Sequence, residues 1–172
     1  MIVIILGVSG AGKTTIGKLL AQELDWPFYE GDDFHPEANI QKMHEGVPLT
    51  DEDRQPWLES LRALIQRCLV TGQNGVLACS ALKESYRQYL RVDDEVKFVY
   101  LRGDYDLVAT QLRQRHGHFM NPGLLRSQFM TLEEPEAGEE VITVELGRTP
   151  NELVHEIRLR LGLGSASSEI AK

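Results

Sequence analysis

The sequence predicts an α/β fold in which a five-stranded parallel sheet is covered by helices on both faces. Short apolar runs rich in β-branched residues alternate with segments whose apolar residues recur at helical spacing. This alternation is typical of strand–helix–strand units, in which each helix returns the chain to the same edge of the sheet. A glycine-rich turn directly after the first apolar run indicates that this edge binds a ligand.

Five apolar runs are predicted to be strands. Each is short and is bounded by glycine, proline or acidic residues, as expected for buried strands of a parallel sheet. The predicted strands are Ile2–Leu6, Pro27–Tyr29, Val76–Cys79, Val96–Leu101 and Val141–Leu146.

The segments between these runs are predicted to be helices. Thr50 stands before three acidic residues and is a suitable N-cap for a long helix. Pro150 suits the first turn of the last helix. Glycine, asparagine and proline make Gly117–Gly123 a predicted loop. The other predicted helices are Ile16–Leu24 with its start near Lys13, Pro36–His44, Glu84–Leu90, one from Asp104, and Leu124–Leu132.

Length and composition predict one soluble domain. The 172 residues suffice for a single hydrophobic core, expected over residues 1–163, and the Gly/Ser-rich residues 164–172 are expected to be a disordered tail. The net charge of −8 disfavours nucleic acid or an anionic membrane as the main partner. Cys68 and Cys79 form no C-x-x-C motif, which favours a reducing, cytoplasmic environment. The first apolar run is too short for a signal peptide or membrane span.

The turn after the first strand carries the pattern G-x-x-x-x-G-K-[ST]. Its glycines let successive backbone N–H groups point at phosphate oxygens, beside the positive end of the following helix. Lys13 is expected to reach the β- and γ-phosphates, and the Thr14 hydroxyl to ligate Mg²⁺. The alternative is a plain glycine-rich turn. The predicted nucleotide-binding residues are Gly7, Val8, Ser9, Gly10, Ala11, Gly12, Lys13, Thr14 and Thr15.

An acidic cluster follows the second predicted strand. Glu30 and Asp32 are two residues apart, so on an extended segment they face the same way, whereas Asp33 points elsewhere. Phosphoryl transfer needs one carboxylate to orient the attacking hydroxyl and further acceptors around Mg²⁺. The alternative is a solvated acidic turn. At the third strand's end, where many P-loop ATPases carry an Asp for Mg²⁺, this chain has Ser80.

Cationic residues near the same edge could hold an anionic substrate. Arg54, early in the long helix, offers a planar fork to a carboxylate or phosphate, and Lys83 and Arg87 share one face of a predicted helix. Exposed surface charge is the alternative for all three. Arg113 and Arg115 lie where a helix meets the predicted loop, as in lids that close over a nucleotide. His116 and His118 lack the further Cys or His partners of a zinc site.

Taken together, these motifs resemble the gluconate kinase (gluconokinase) family of small P-loop kinases. The first motif is shared with a very large superfamily, whereas D-R-x-P-W-L, C-S-A-L-K and G-H-F-M are much more specific. The resemblance spans the chain up to Pro135. It rests on Gly7–Thr14, Gly31–Pro36, Asn39–Met43, Gly46–Leu58, Cys79–Lys83, Tyr86-Arg87 and Gly117–Met120.

The resemblance implies a nucleoside-monophosphate-kinase-like fold with a lid at about residues 113–124. It implies Mg²⁺-dependent transfer of the ATP γ-phosphoryl group to the 6-hydroxyl of D-gluconate, and family members are commonly dimeric. Asp32 is implied to accept or orient the hydroxyl proton. Arg115 would steady the transferring group. The implied substrate-binding residues are Asp32, His35, Arg54, Lys83, Arg87 and His118.

One position departs from the family pattern. Glu30 stands where the pattern usually has Asp, so the charge is kept but the longer side chain moves it outward. Glu30 and Thr14 are nevertheless the predicted protein ligands of Mg²⁺.

Two other functions remain open from sequence. A kinase of the same fold could phosphorylate shikimate, a nucleoside monophosphate or another sugar acid, because the P-loop alone does not select the acceptor. A nucleotide-dependent switch or binding module that phosphorylates no metabolite is the second alternative. The D-x-x-G and N-K-x-D motifs of GTPase switches are absent from the sequence.

Overall fold

A computed structural model of the chain describes residues 1–114 and 122–164, and strands and helices alternate along both ranges. No helix in these ranges is long and apolar enough to cross a membrane. The strands are β1 (Ile2–Leu6), β2 (Phe28–Glu30), β3 (Gly75–Ala78), β4 (Val96–Arg102) and β5 (Val141–Glu145). The helices are α1 (Lys13–Leu24), α2 (Glu37–His44), α3 (Asp51–Val70), α4 (Glu84–Leu90), α5 (Tyr105–Gln114), α6 (Pro122–Thr131) and α7 (Pro150–Arg160), and Gly31–Phe34 forms a 3₁₀ turn.

All five strands are parallel and lie in the order β2-β3-β1-β4-β5. β1 is central: Ile4 lies opposite Leu77 of β3 on one side and Phe98 of β4 on the other. The turns that follow β1, β2 and β3 therefore leave the sheet at one edge, side by side. The predicted five-stranded parallel sheet is confirmed.

The side chains of β1 alternate between two buried layers. Ile2, Ile4 and Leu6 pack in the cluster that includes α3, while Val3 and Ile5 pack in the cluster that includes α1 and α7. All five residues of β1 are buried, as a strand covered on both faces requires. This packing fixes the point at which the chain leaves β1.

The helix boundaries agree with most of the local signals. Thr50 caps α3 as predicted, and its hydroxyl and Asp53 exchange the two hydrogen bonds of a capping box. α6 begins at Pro122, inside the segment predicted to be a loop, because proline is favoured in the first turn of a helix. Residues 115–121, with most of the predicted lid, and residues 165–172 of the predicted tail lie outside the described residues.

A partly buried ion pair ties α4 to the chain before β5. The side chain of Arg87 is 1% exposed and donates to both carboxylate oxygens of Glu139, at 2.8 and 2.7 Å. Its remaining donors reach the carbonyls of Ala81, Leu82 and Glu133. The guanidinium lowers the pKa of the Glu139 carboxyl, so the ionised pair is the stable form. Arg87 thus holds together segments 46 to 52 residues apart.

Replacing Arg87 should therefore destabilise the fold. We expect Arg87→Ala to lower the free energy of unfolding by about 3–5 kcal/mol, because it leaves a carboxylate and three carbonyls without their donor. Urea denaturation followed by circular dichroism measures this. Arg102→Ala is the matched control, since the Arg102–Glu145 pair is exposed and should contribute about 0–1 kcal/mol.

The contribution of the Arg87–Glu139 pair to the free energy of unfolding should depend on pH. Because the folded-state pKa of Glu139 lies below its ordinary value of 4.5, the pair stabilises the fold above that pH. Its contribution is lost as the pH falls through the lowered pKa, so the difference between wild type and Arg87→Ala should shrink there. Equal losses for Arg87→Ala and Arg102→Ala at neutral pH would contradict this account.

Candidate active site

The loop between β1 and α1 has the backbone shape that its glycines predict. Gly10 and Gly12 both have positive φ, at 82° and 94°, a region that other residues rarely adopt. Gly10 also packs so closely on Leu112 of α5 that a Cβ there would lie 2.4 Å from Leu112 Cγ. The loop is thereby packed against α5, directly before the N-terminus of α1.

Two polar groups of this loop already have partners. Lys13 Nζ donates to the carbonyl of Val8 at 3.0 Å, so the side chain lies along the loop. The backbone N–H of Ser9 donates to Oε1 of Gln128, on α6, at 2.6 Å. The Gln128 side chain therefore connects α6 to the phosphate-binding loop.

Thr14 and Glu30 bring two oxygen donors together beside the loop. The Thr14 hydroxyl donates to Glu30 Oε2 at 2.6 Å. Burial raises the pKa of Glu30, and the hydrogen bond from Thr14 partly opposes that effect. A half-buried carboxylate next to a hydroxyl fits a hard cation such as Mg²⁺, which prefers oxygen ligands. Within the described ranges no group of three or more His, Cys, Asp or Glu residues could hold a metal ion.

A cleft of about 420 Å³ opens between the loop, the 3₁₀ turn and helices α2, α3 and α6. Its wall is polar near the loop and apolar along α2. The lining residues are Ser9, Lys13, Asp32, His35, Ile40, Met43, His44, Pro48, Leu49, Arg54, Trp57, Ser80, Leu82, Leu124, Ser127 and Gln128.

Three charged residues that the sequence analysis predicted to be site residues line this cleft. Lys13 lies on the loop side, and Asp32 is an exposed residue of the 3₁₀ turn. Arg54 is 15% exposed; its guanidinium donates to the Tyr86 hydroxyl at 3.4 Å and lies 3.9 Å from Oδ1 of Asp51. The cleft thus offers a cation for phosphates, a carboxylate for a proton, and a second, anchored cation.

His35 also lines the cleft, and its ring is held from two sides. It stacks on Trp57 with ring centroids 4.6 Å apart and an interplanar angle of 8°. Trp57 is itself fixed, because its indole N–H donates to the carbonyl of Gly31 at 2.8 Å. Nδ1 of His35 lies 3.3 Å from Nδ2 of Asn39. Burial lowers the pKa of His35, so the imidazole is neutral at neutral pH.

Two residues that were predicted to bind the substrate are instead paired with carboxylates of the protein and lie outside the cleft lining. Lys83 Nζ donates to both oxygens of Asp51, at 2.8 and 2.9 Å, and is not part of the cleft lining. This pairing raises the pKa of Lys83 and, together with the Tyr86 hydroxyl, lowers that of Asp51. Arg87 is buried against Glu139. The structure does not bring Lys83 or Arg87 into the cleft, and Arg115 and His118 lie outside the described residues.

A second cleft of about 270 Å³ lies on the other side of the phosphate-binding loop. It is formed by the start of α1, the end of α5 and the turn between β5 and α7. Its lining residues are Ala11, Gly12, Thr15, Ile16, Gln111, Gln114, Leu146, Arg148, Pro150 and Leu153. The loop is therefore flanked by one cleft on each side.

Sequence reasoning assigned no role to two residues that the site contains. Asn39 lies in a motif that carried the resemblance, and an asparagine inside a predicted helix is a weak helix former that suggests a specific hydrogen bond. The structure shows that it is buried. Gln128 gave no such signal, because it meets Ser9 from 119 residues away in the chain.

Comparison with known proteins gives a consistent family. The family model described as shikimate kinase matches residues 9–141. A "Probable gluconokinase" of Mus musculus is 45% identical over 170 residues, covering 88% of this chain and 92% of the relative. A "Gluconokinase" of Gluconobacter oxydans is 45% identical over 155 residues, covering 90% and 87%.

The solved structures agree with the fold. A crystal structure of a gluconokinase from Sinorhizobium meliloti superimposes with a TM-score of 0.82 at 40% identity, over 94% of each chain. Because the curated relatives are far above 30% identity and span most of both chains, the likeness extends beyond the fold. This chain therefore belongs to the shikimate kinase family of P-loop kinases and, within it, to the gluconokinases.

Proposed function

We propose that this protein transfers the γ-phosphoryl group of ATP to the 6-hydroxyl of D-gluconate, giving 6-phosphogluconate and ADP. The observation that carries the proposal is that Lys13, Asp32 and Arg54 line one cleft. Gluconate is a linear polyol with a single carboxylate, so it needs a cation at one end and the reacting phosphate at the other. The gluconokinase names of the relatives support the choice of substrate.

In this proposal catalysis consists of positioning and charge neutralisation. Asp32 accepts or orients the proton of the attacking hydroxyl, and Lys13 draws charge from the phosphates. Arg54 pairs with the carboxylate of the sugar acid, since its planar fork suits a carboxylate. Arg115 and His118 remain proposed lid residues that approach the transferring group and the substrate. Lys83 and Arg87 act indirectly, by holding Asp51 and the chain before β5.

The proposed Mg²⁺ site uses Thr14 and Glu30, which already share a hydrogen bond. When bound, Mg²⁺ neutralises phosphate charge as it develops. Glu30 contributes a carboxylate whose pKa burial raises, so a nearby cation would stabilise its ionised form. The longer side chain of Glu30 reaches Thr14 directly, which supports its use in place of the usual Asp.

The second cleft is the proposed place of the nucleoside. A triphosphate held by the loop between the two clefts must extend away from the acceptor, and the second cleft lies on that side. The planar guanidinium of Arg148, which is paired with Glu156, offers a face on which a base can stack, and Pro150 offers an apolar surface. Gln111 and Gln114 offer amide groups for hydrogen bonds.

Shikimate is the second candidate acceptor, because the matching family model is described as shikimate kinase. Release of ADP with Mg·ATP, measured against D-gluconate, other aldonic acids, shikimate and several nucleoside monophosphates, separates the candidates. We expect D-gluconate to give by far the highest kcat/KM and 6-phosphogluconate as product. Preferred turnover of another acceptor would support a kinase activity and would show that gluconate is not the substrate. Nucleotide binding without turnover of any acceptor would favour a binding module.

Asp32→Asn tests the proton-accepting role. The amide keeps the shape of the side chain but cannot take a proton, so we expect kcat with gluconate to fall by about 10²–10⁴-fold. Steady-state kinetics at saturating ATP and Mg²⁺ measures this. A kcat within a few-fold of wild type would contradict the role.

Glu30→Gln is the matched change two residues away and tests the metal site. We expect the Mg²⁺ concentration for half-maximal rate to rise by about 10–100-fold, with much of kcat recovered at high Mg²⁺. Titration of the rate with Mg²⁺ at fixed ATP measures this, and Asp32→Asn should show no such recovery. An unchanged Mg²⁺ requirement would remove Glu30 from the metal site.

A further inference from the structure

Asn39 is a buried polar residue, and its hydrogen bond to a backbone carbonyl fixes the orientation of its side-chain amide. It is 3% exposed, and its Nδ2 donates to the backbone carbonyl of Asp53 at 2.7 Å. Because a carbonyl only accepts hydrogen bonds, the amide nitrogen must be the atom that faces it. The same nitrogen lies 3.3 Å from Nδ1 of His35, so its second proton is directed to that ring nitrogen.

This arrangement determines which nitrogen of His35 carries the proton. A neutral imidazole has one donor and one acceptor nitrogen, and a nitrogen that receives a hydrogen bond is the unprotonated one. Nδ1 is therefore the acceptor and Nε2 carries the hydrogen. Burial keeps the ring neutral by lowering the pKa of His35; of the charged groups that face it, Asp32 opposes this shift and Arg54 reinforces it.

The Nε2–H group belongs to a side chain that lines the main cleft. Within residues 1–114 and 122–164, Nε2 has no hydrogen-bond partner, and no buried polar side-chain atom there lacks one. Nε2 is therefore in contact with solvent, and His35 is part of the cleft wall. The stack on Trp57 fixes the plane of the ring, so the N–H direction is fixed as well.

We propose that Asn39 is a positioning residue that holds His35 as the Nε2–H tautomer, so that the cleft presents a neutral N–H donor to an oxygen of the sugar acid. The substrate part of this proposal rests on the proposed function. The donor selects a hydroxyl or carboxylate oxygen at that point of the cleft, whereas the other tautomer would present an acceptor.

The tautomer can be observed directly in the full-length protein. Long-range ¹H–¹⁵N NMR correlation on ¹⁵N-histidine-labelled protein at slightly alkaline pH distinguishes protonated from unprotonated ring nitrogens. His35→Gln assigns the His35 signals among the five histidines. We expect Nδ1 unprotonated and Nε2 protonated in the wild type. Protonated Nδ1 would overturn the proposal, and because no substrate is present this outcome is independent of the gluconate assignment.

Asn39→Asp reverses the polarity of the contact. A carboxylate accepts instead of donating, so we expect Nδ1 of His35 to become protonated. If Asn39→Asp does not fold, Asn39→Ala replaces it, and the His35 signals should move toward those of a free imidazole. An unchanged His35 spectrum in the folded variant would show that Asn39 does not set the tautomer.

Lys42→Ala is the matched control for a merely structural role. Lys42 lies on the same helix and also binds Asp53, but it does so through the Asp53 carboxylate, at 2.7 and 2.8 Å. We expect Lys42→Ala to leave the His35 spectrum unchanged. An equal change in both variants would mean that the link between α2 and α3, and not the Asn39 amide, controls His35.

Kinetics supply the functional readout. Loss of one neutral hydrogen bond should raise KM for gluconate several-fold, up to about tenfold, in the Asn39 variant. KM for ATP should stay near the wild-type value, since His35 lies on the acceptor side of the loop. If the Asn39 variant changes the tautomer but leaves KM for gluconate unchanged, Asn39 does position His35, and the proposed hydrogen bond from His35 to the substrate is wrong.

Discussion

The buried position of β1 is the constraint on which the site depends. β1 is paired on both edges, to β3 and β4, and covered on both faces, so its carboxyl end cannot move relative to the sheet. The phosphate-binding loop starts at that end. The 3₁₀ turn after β2 and Ser80 after β3 leave the sheet beside it, because parallel strands end at the same edge. The local geometry of the site is therefore a consequence of strand pairing.

Two cationic side chains line the main cleft of a protein whose overall charge is negative. The protein carries a net charge of −8, yet Lys13 and Arg54 both line the cleft and Arg54 is only 15% exposed. A partly desolvated guanidinium interacts more strongly with an anion than one in bulk water. Lys83 and Arg87 have the same charge, but each donates two hydrogen bonds to a carboxylate and neither lines the cleft. Arg54 lies 3.9 Å from the Asp51 carboxylate and does line the cleft.

The first turn of α3 connects several parts of this wall. Asp53 belongs to the capping box with Thr50, its carboxylate binds Lys42, and its carbonyl binds Asn39. The next residue along the helix is Arg54. One turn of backbone thus positions the guanidinium, anchors α2 and, through Asn39, holds His35. Asp53, which belongs to the capping box of α3, thus also holds two residues of α2, Lys42 and Asn39, beside the cleft.

The sequence alone determined the sheet, the phosphate-binding loop and most helix boundaries, because these follow from local periodicity, capping residues and glycine conformations. It also predicted that Lys13, Asp32, His35 and Arg54 share a site, and the structure places all four on one cleft. Only the tertiary structure showed that Arg54 lines the cleft and that Lys83 and Arg87 do not. Sequence spacing shows which residues share a face, but packing between distant segments decides which cation lines the cleft: Arg54 does so although it also lies near Asp51, whereas Lys83 and Arg87 do not. The contact of Gln128 with the loop and the direction of the Asn39 amide are likewise decided by packing between elements far apart in the chain.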